Sequence, residues 1–155
     1  MSMMFERTVD DILVHADQDT IFRYASDIEN WPKILPHYRW IRTLEQHDRT
    51  STVEMAARRG WIPVKWTSVQ VVDPEHHTVH YHHTGGATRG MDVEWNMAKE
   101  GDGVRVTIIH EMTLTMPVVR SLIGRWIVGK FFVHHIASLT LKKIKELSEA
   151  ERITT

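Results

Sequence analysis

The chain has 155 residues, 19 basic and 20 acidic side chains, a formal charge of -1 and no cysteine. That length predicts one domain whose core needs no staples, and the missing cysteines exclude disulfides, thiolate nucleophiles and thiolate metal sites. A near-neutral charge without a basic block gives no reason to expect a nucleic-acid partner.

Along the chain, the opening Met-Ser-Met-Met-Phe-Glu-Arg lacks the basic-then-apolar order of a signal peptide. No run approaches the roughly 18 apolar residues of a membrane span, so a soluble cytoplasmic protein is expected. Thr8 to His15, with Val9, Ile12, Leu13 and Val14, predicts a first strand. Asp17 suits an N-cap, and Ile21, Phe22, Tyr24, Ala25 and Ile28 behind it have the spacing of a short amphipathic helix.

Residues 27 to 38 then read Asp-Ile-Glu-Asn-Trp-Pro-Lys-Ile-Leu-Pro-His-Tyr. Pro32 and Pro36 each remove a backbone donor and bias Trp31 and Leu35 away from helical angles, which predicts a broken corner. Trp31, Ile34 and Leu35 are too apolar for an exposed loop, so the corner is expected to fold over a hydrophobic interior as a lid, with His37 and Tyr38 near its rim.

After the corner the pattern changes to period two, over about 38–47, 51–59, 62–72, 77–84 and 89–99. The clearest strand is Val104 to Met116, where Val104, Val106, Ile108, His110, Met112, Leu114 and Met116 share one face. The connections at Asp48 to Thr50, Asp73-Pro74-Glu75, Thr84-Gly85-Gly86 and Glu100-Gly101-Asp102-Gly103 have turn chemistry short enough for consecutive hairpins, predicting a meander.

Pro117 closes that strand, and Val118 to Glu149 predicts one helix; some 30 residues at 1.5 Å each would span roughly 45 Å. Its first half is apolar on nearly every side. Trp126, Ile127, Val128, Phe131, Phe132 and Val133 cannot all face one sheet, so the corner, a second copy of the chain in a homodimer, or a membrane at the pocket mouth must cover some of them. The expected architecture is α+β and a single domain over residues 1–155. A curved antiparallel sheet of about seven strands wraps a long C-terminal helix, with two short helices after the first strand.

Four passages carry a family resemblance. They are Ile21-Phe-Arg-Tyr-Ala-Ser-Asp-Ile-Glu-Asn-Trp-Pro with Leu35-Pro36-His37-Tyr38, then Trp66-Thr-Ser68, then Thr84-Gly85-Gly86 running into Gly90-Met-Asp-Val-Glu-Trp95, and finally Gly103 to Pro117 leading into the last helix. In these the chain resembles the START/Bet v 1-like helix-grip superfamily and, within it, the polyketide cyclase/dehydrase and coenzyme Q-binding group. The resemblance implies a deep hydrophobic pocket between sheet and helix, used by relatives for lipids, isoprenoids, plant metabolites or nascent polyketides.

The inward faces of the strands, the corner and the helix then suggest Trp31, Leu35, Met55, Trp66, Ser68, Tyr81, Met91, Val93, Trp95, Ile108, Met112, Ile127 and His134 as ligand contacts. His110 interrupts an apolar face and is either a core histidine satisfied by Tyr81, Ser68 or water, or a proton shuttle. Tyr38 matches the tyrosine that resembling cyclases carry near the corner. The arginine that the resemblance implies on the strand at 62–72 falls, counting on from Trp66-Thr-Ser68, at Gln70, a weaker enolate stabiliser, and Arg59 is the candidate to supply that charge.

Two functions follow as expectations. One is binding of a hydrophobic small molecule with aldol cyclisation and dehydration of a polyketide; the other is non-enzymatic carriage of a lipid or quinone. No cofactor is expected, since no dinucleotide fingerprint, Walker loop or nucleophile elbow is present. His80 and His82 point the same way on a strand and could share a zinc ion, but no third ligand is tied to them and no metal site is expected. His76, His77, His80, His82 and His83 are read as a wet outer face or rim.

Overall fold

The computed structural model describes the backbone of residues 3–86 and 88–154, and the side chains of 7–58, 60–61, 63–86, 88–112 and 133–153. Strand β1 (Met3–Val14) is followed by helix α1 (Gln18–Ser26), a 3₁₀ turn at Ile28–Asn30 and the short helix α2 (Trp31–Ile34). Six strands come next: β2 (Tyr38–His47), β3 (Thr50–Arg59), β4 (Ile62–Asp73), β5 (Thr78–Gly86), β6 (Met91–Glu100) and β7 (Gly103–Thr115). Helix α3 (Met116–Thr154) ends the chain.

The seven strands form one antiparallel sheet in the order β1-β7-β6-β5-β4-β3-β2. β2 to β7 are thus a plain meander, as the turn spacing predicts, and β1 returns to cover the outer edge of β7 from Met3↔Thr115 to Val14↔Val104. Helix α3 packs against β1, β7 and α1. Val133, Ile136, Ala137, Thr140, Leu141, Ile144 and Ser148 are its buried positions among the described residues. This is the helix-grip architecture.

Local chemistry explains the elements. The Asp17 carboxylate accepts from the backbone N–H of Asp19 and Thr20, which satisfies donors that the first turn of α1 would leave open. The C-terminal part of α3 is tied to the opposite chain end. Lys145 Nζ donates to the Leu13 carbonyl at 2.8 Å, and Tyr24 and Arg23 both donate to the Glu151 carboxylate. Among the described residues no helix is long and apolar enough to cross a membrane.

Three local expectations are corrected. Trp31 is helical (φ -55, ψ -40) although Pro32 follows it, because Pro32 sits in the first turn of α2, where its missing N–H would have had no partner. Leu35, ahead of Pro36, is extended as predicted. Gly85 and Gly86 are not a turn but the last residues of β5. Gly86 has φ +87, and a Cβ there would lie 2.4 Å from the Lys65 carbonyl oxygen, so two backbones meet at this point. Pro117 lies inside the first turn of α3 rather than before the helix.

Candidate functional site

Between the concave face of the sheet and residues 133–140 of α3 lies a cavity of about 70 Å³, counted as space open to the centre of a water molecule. At roughly 10–15 Å³ of such space per water this holds several waters. Ten residues named from the sequence line it: Trp31, Tyr38, Met55, Trp66, Tyr81, Met91, Val93, Trp95, Ile108 and His110. His83, Thr88, Val133, Ile136, Ala137 and Thr140 complete the lining.

Strand register brings the lining together. His110 pairs with Val93, Val93 with Tyr81 and Tyr81 with Gln70, so one row crosses four strands. Because successive side chains alternate across a strand, Met91 and Trp95 on either side of Val93, Ile108 before His110 and His83 after Tyr81 share that face and line the cavity. The proline corner supplies the opposite wall. Trp31 donates from Nε1 to the Tyr24 carbonyl at 2.9 Å, which fixes its ring between Trp95 (centroids 5.8 Å apart) and Tyr38 (5.2 Å). Tyr38 reaches Trp66 at 6.3 Å, and Trp66 stacks on His83 at 5.8 Å with 14° between the planes. A continuous aromatic wall therefore runs from β6 through the corner to β5, and its ring contacts contribute roughly 0.5–1.5 kcal/mol each beyond burial.

The polar groups in this wall are held uncharged. Burial, reinforced by neighbouring His83, pulls the His110 imidazole down to about 3. Burial and the nearby His82 lower His83 to about 4, against the opposing pull of Asp92. Burial raises both the Tyr38 and Tyr81 hydroxyls far above the ordinary tyrosine value; a polar contact with Thr140 opposes the shift at Tyr38, and Gln70 opposes it at Tyr81. At neutral pH the site thus presents two neutral imidazoles and two protonated phenols. His83 Nδ1 is bonded to the Thr88 hydroxyl at 2.5 Å, whereas His110 Nδ1 and Trp66 Nε1 are buried without a partner among the described residues. Unpaired buried polar atoms are costly, so both are poised to bond a polar group brought in by a guest.

Several residues expected at the ligand lie elsewhere. Gln70 is buried behind the wall, donating to the Ser26 carbonyl and to the Tyr81 hydroxyl, both at 3.1 Å. Ser68 is buried and donates to the His82 carbonyl. Leu35 is fully buried core beneath the corner, and Met112 is partly buried against the core without lining the cavity. His134 stands on the outer side of α3 and pairs with the buried carboxylate of Asp10 on β1. The side chains of Arg59 and Ile127, and with them the question of what covers Trp126 to Phe132, lie outside the described residues.

The histidine cluster divides. His83 is buried in the cavity wall, not at a wet rim, because β5 turns the face carrying Val79, Tyr81 and His83 inward. His80 and His82 are exposed on the opposite face beside Asp92, and His76 and His77 sit in the turn before β5, paired with Asp73 and Asp19. Among the described residues no group of three His, Cys, Asp or Glu is arranged to hold a metal ion. His83, Thr88 and Thr140 are the polar lining positions that the sequence did not single out as ligand contacts. Alternation with Val79 and Tyr81 was the available signal for His83, and the spacing from Ile136 and Ile144 was the signal for Thr140.

A seven-stranded sheet gripping a C-terminal helix around an aromatic cavity is the START/Bet v 1-like helix-grip fold. Residues 14–130 match the family described as polyketide cyclase / dehydrase and lipid transport, and the chain belongs to that family. A candidate polyketide cyclase of Streptomyces halstedii is 26% identical over 107 residues, covering 65% of this chain and 95% of the relative. Among solved structures, the Zhui aromatase/cyclase from Streptomyces sp. R1128 superposes with a TM-score of 0.74 at 14% identity, covering 94% of each chain. A Thalictrum norcoclaurine synthase point mutant, in complex with a transition-state analogue, superposes with a TM-score of 0.76 at 14% identity, covering 98% of this chain and 99% of its own. At such identities these two likenesses speak to the fold.

Proposed function

We propose that the chain binds a polyketide-like small molecule in the cavity between sheet and α3 and promotes its aldol cyclisation and dehydration. The observation that carries this reading is the convergence of Tyr38, Tyr81, His83 and His110 on one apolar cavity, since a carrier of a lipid tail has no use for so many inward polar groups. In the reaction a carbon–carbon bond forms between a methylene and a carbonyl of the same chain, and the new hydroxyl leaves with a neighbouring proton as water. Folding a flexible substrate so that these carbons approach removes several kcal/mol of the barrier.

The role of His110 differs from the proton shuttle that the sequence suggested. An imidazole held near 3 is a poor base, so His110 acts as a neutral hydrogen-bond partner that polarises a carbonyl rather than as a proton shuttle. Tyr38 and Tyr81, kept protonated, donate to the developing alkoxide. Gln70 orients Tyr81 from behind.

The test is incubation of the protein with a reactive poly-β-ketone, followed by chromatography of the products. Faster formation of a single cyclised, dehydrated product, lost in the His110→Phe/Tyr38→Phe double variant, is expected. A product distribution equal to that of the spontaneous reaction would sink the catalytic reading. The second reading, a non-enzymatic carrier of a lipid or quinone, is favoured by the apolar patch of Met55, Met91, Val93, Ile108, Val133 and Ile136. Native mass spectrometry of freshly purified protein distinguishes the two: a co-purified long-chain lipid or quinone supports the carrier, a polyphenol the cyclase.

A further inference from the structure

We propose that the end of the sheet bearing the β3–β4 hairpin tip is a docking surface for an anionic lipid bilayer. Trp61, at that tip, is 89% exposed. Its neighbours in sequence are Arg58-Arg59-Gly60 and Ile62-Pro63-Val64-Lys65, a mixture of cations and apolar residues without a carboxylate. The tip projects: Trp66 pairs with Gly86 at the end of β5, so β4 from Ile62 to Lys65, with its partner residues on β3, runs beyond the neighbouring strand as a two-stranded ribbon. Gly60, with φ +60, makes the turn that presents Trp61.

Charge at this end is one-sided. Arg58 on the ribbon, Arg89 in the β5–β6 turn and Arg39 at the start of β2 are exposed and have no carboxylate partner among the described residues. The carboxylates nearest by register are already engaged: Glu54 with Lys65 at 3.4 Å, Asp92 with His82 at 2.8 Å and Glu111 with Arg7 at 3.3 Å. The sequence runs 57–65 and 83–91 contain no Asp or Glu, and neither does 112–145, where α3 begins at this same end. A chain with a formal charge of -1 has therefore gathered, around one exposed tryptophan, cations without a carboxylate partner among the described residues.

Tryptophan and arginine together suit the headgroup region, where the indole takes the apolar boundary and the guanidinium meets lipid phosphate. The cavity reaches the same end, because Thr88 in the β5–β6 turn and Met91 at the start of β6 line it. An apolar guest could then pass between bilayer and cavity without crossing water, whichever reading of the cavity's chemistry holds.

The experiment is flotation of the full chain with vesicles of equal parts phosphatidylcholine and phosphatidylglycerol, and with phosphatidylcholine alone. Binding to the anionic vesicles only, weakening as salt is raised, is expected. Arg58→Gln/Arg89→Gln should lower the partition coefficient about thirtyfold, and Trp61→Ala should lower it independently, with thermal melting of both variants unchanged. Failure of the wild type to float with anionic vesicles, equal flotation with neutral ones, or variants that float like the wild type would each overturn the proposal.

Discussion

Gln70 Nε2 lies 3.1 Å from the Tyr81 hydroxyl and 3.1 Å from the Ser26 carbonyl, so one buried amide ties the cavity wall to the end of α1. Since the Tyr81 oxygen accepts from Gln70, its own O–H stays available to donate into the cavity. Replacing Gln70 by Leu leaves the Ser26 carbonyl and the Tyr81 oxygen without this donor, and about 1–3 kcal/mol of stability should be lost. Urea denaturation measures this, and an unchanged midpoint would show that the tie is not structural.

Gly86 has no room for a side chain. A Cβ there would stand 2.4 Å from the Lys65 carbonyl oxygen and 2.5 Å from the Trp66 Cα, at a φ of +87 that disfavours L side chains. Gly86→Ala should therefore cost on the order of 2–4 kcal/mol through backbone strain and displacement of β4. A melting temperature within error of the wild type would contradict the close approach.

At His110 stability and function should separate. Its Nδ1 is buried and has no partner among the described residues, so His110→Phe removes an unsatisfied atom and should leave stability equal or raise it by about 1 kcal/mol. The same change should slow cyclisation of a bound poly-β-ketone about a hundredfold, the usual loss when one polarising donor goes. Equal loss of stability and turnover would mean that His110 is only a core residue.

Acid should destabilise the protein in a defined window. His83 and His110 are lowered to about 4 and about 3, so the unfolded chain, with ordinary imidazoles near 6.5, binds more protons as pH falls. Their contribution is whole above about 6.5, shrinks as pH drops toward the folded values, and amounts to on the order of 3–5 kcal/mol for each. Asp10, raised by burial despite its bond to His134, contributes with the opposite sign. Melting temperature measured from pH 7 to pH 4 should fall, and His83→Phe/His110→Phe should fall less. Parallel curves would exclude the histidines as the cause.

Much of the fold was legible because period-two alternation and turn residues are local signals. The strands from β2 to β7 lie within a few residues of where the sequence places them, and Asp17 caps α1 as its chemistry demands. The apolar character of the corner is legible as well: Trp31 and Tyr38 line the cavity, while Leu35 is core. Trp31 itself was misjudged, since a proline excludes helix only where an N–H is needed.

The site was legible only by halves, for a physical reason. Alternation assigned His110, Tyr81, Val93 and Trp95 to one face without saying how far each would project, so Gln70 and Ser68, on the inward face, could not be recognised as partners of Ser26 and His82. His83 was hidden among neighbouring histidines, and His134 on a helix apolar on nearly every side had no readable phase. Sequence by itself determined the order of elements, the inward faces and the aromatic character of the cavity, because these depend on residue spacing along the chain. Only the tertiary structure decided which polar groups stay unpaired and uncharged, because pairing and desolvation depend on neighbours more than forty residues away, as the bond from Gln70 to Ser26 shows.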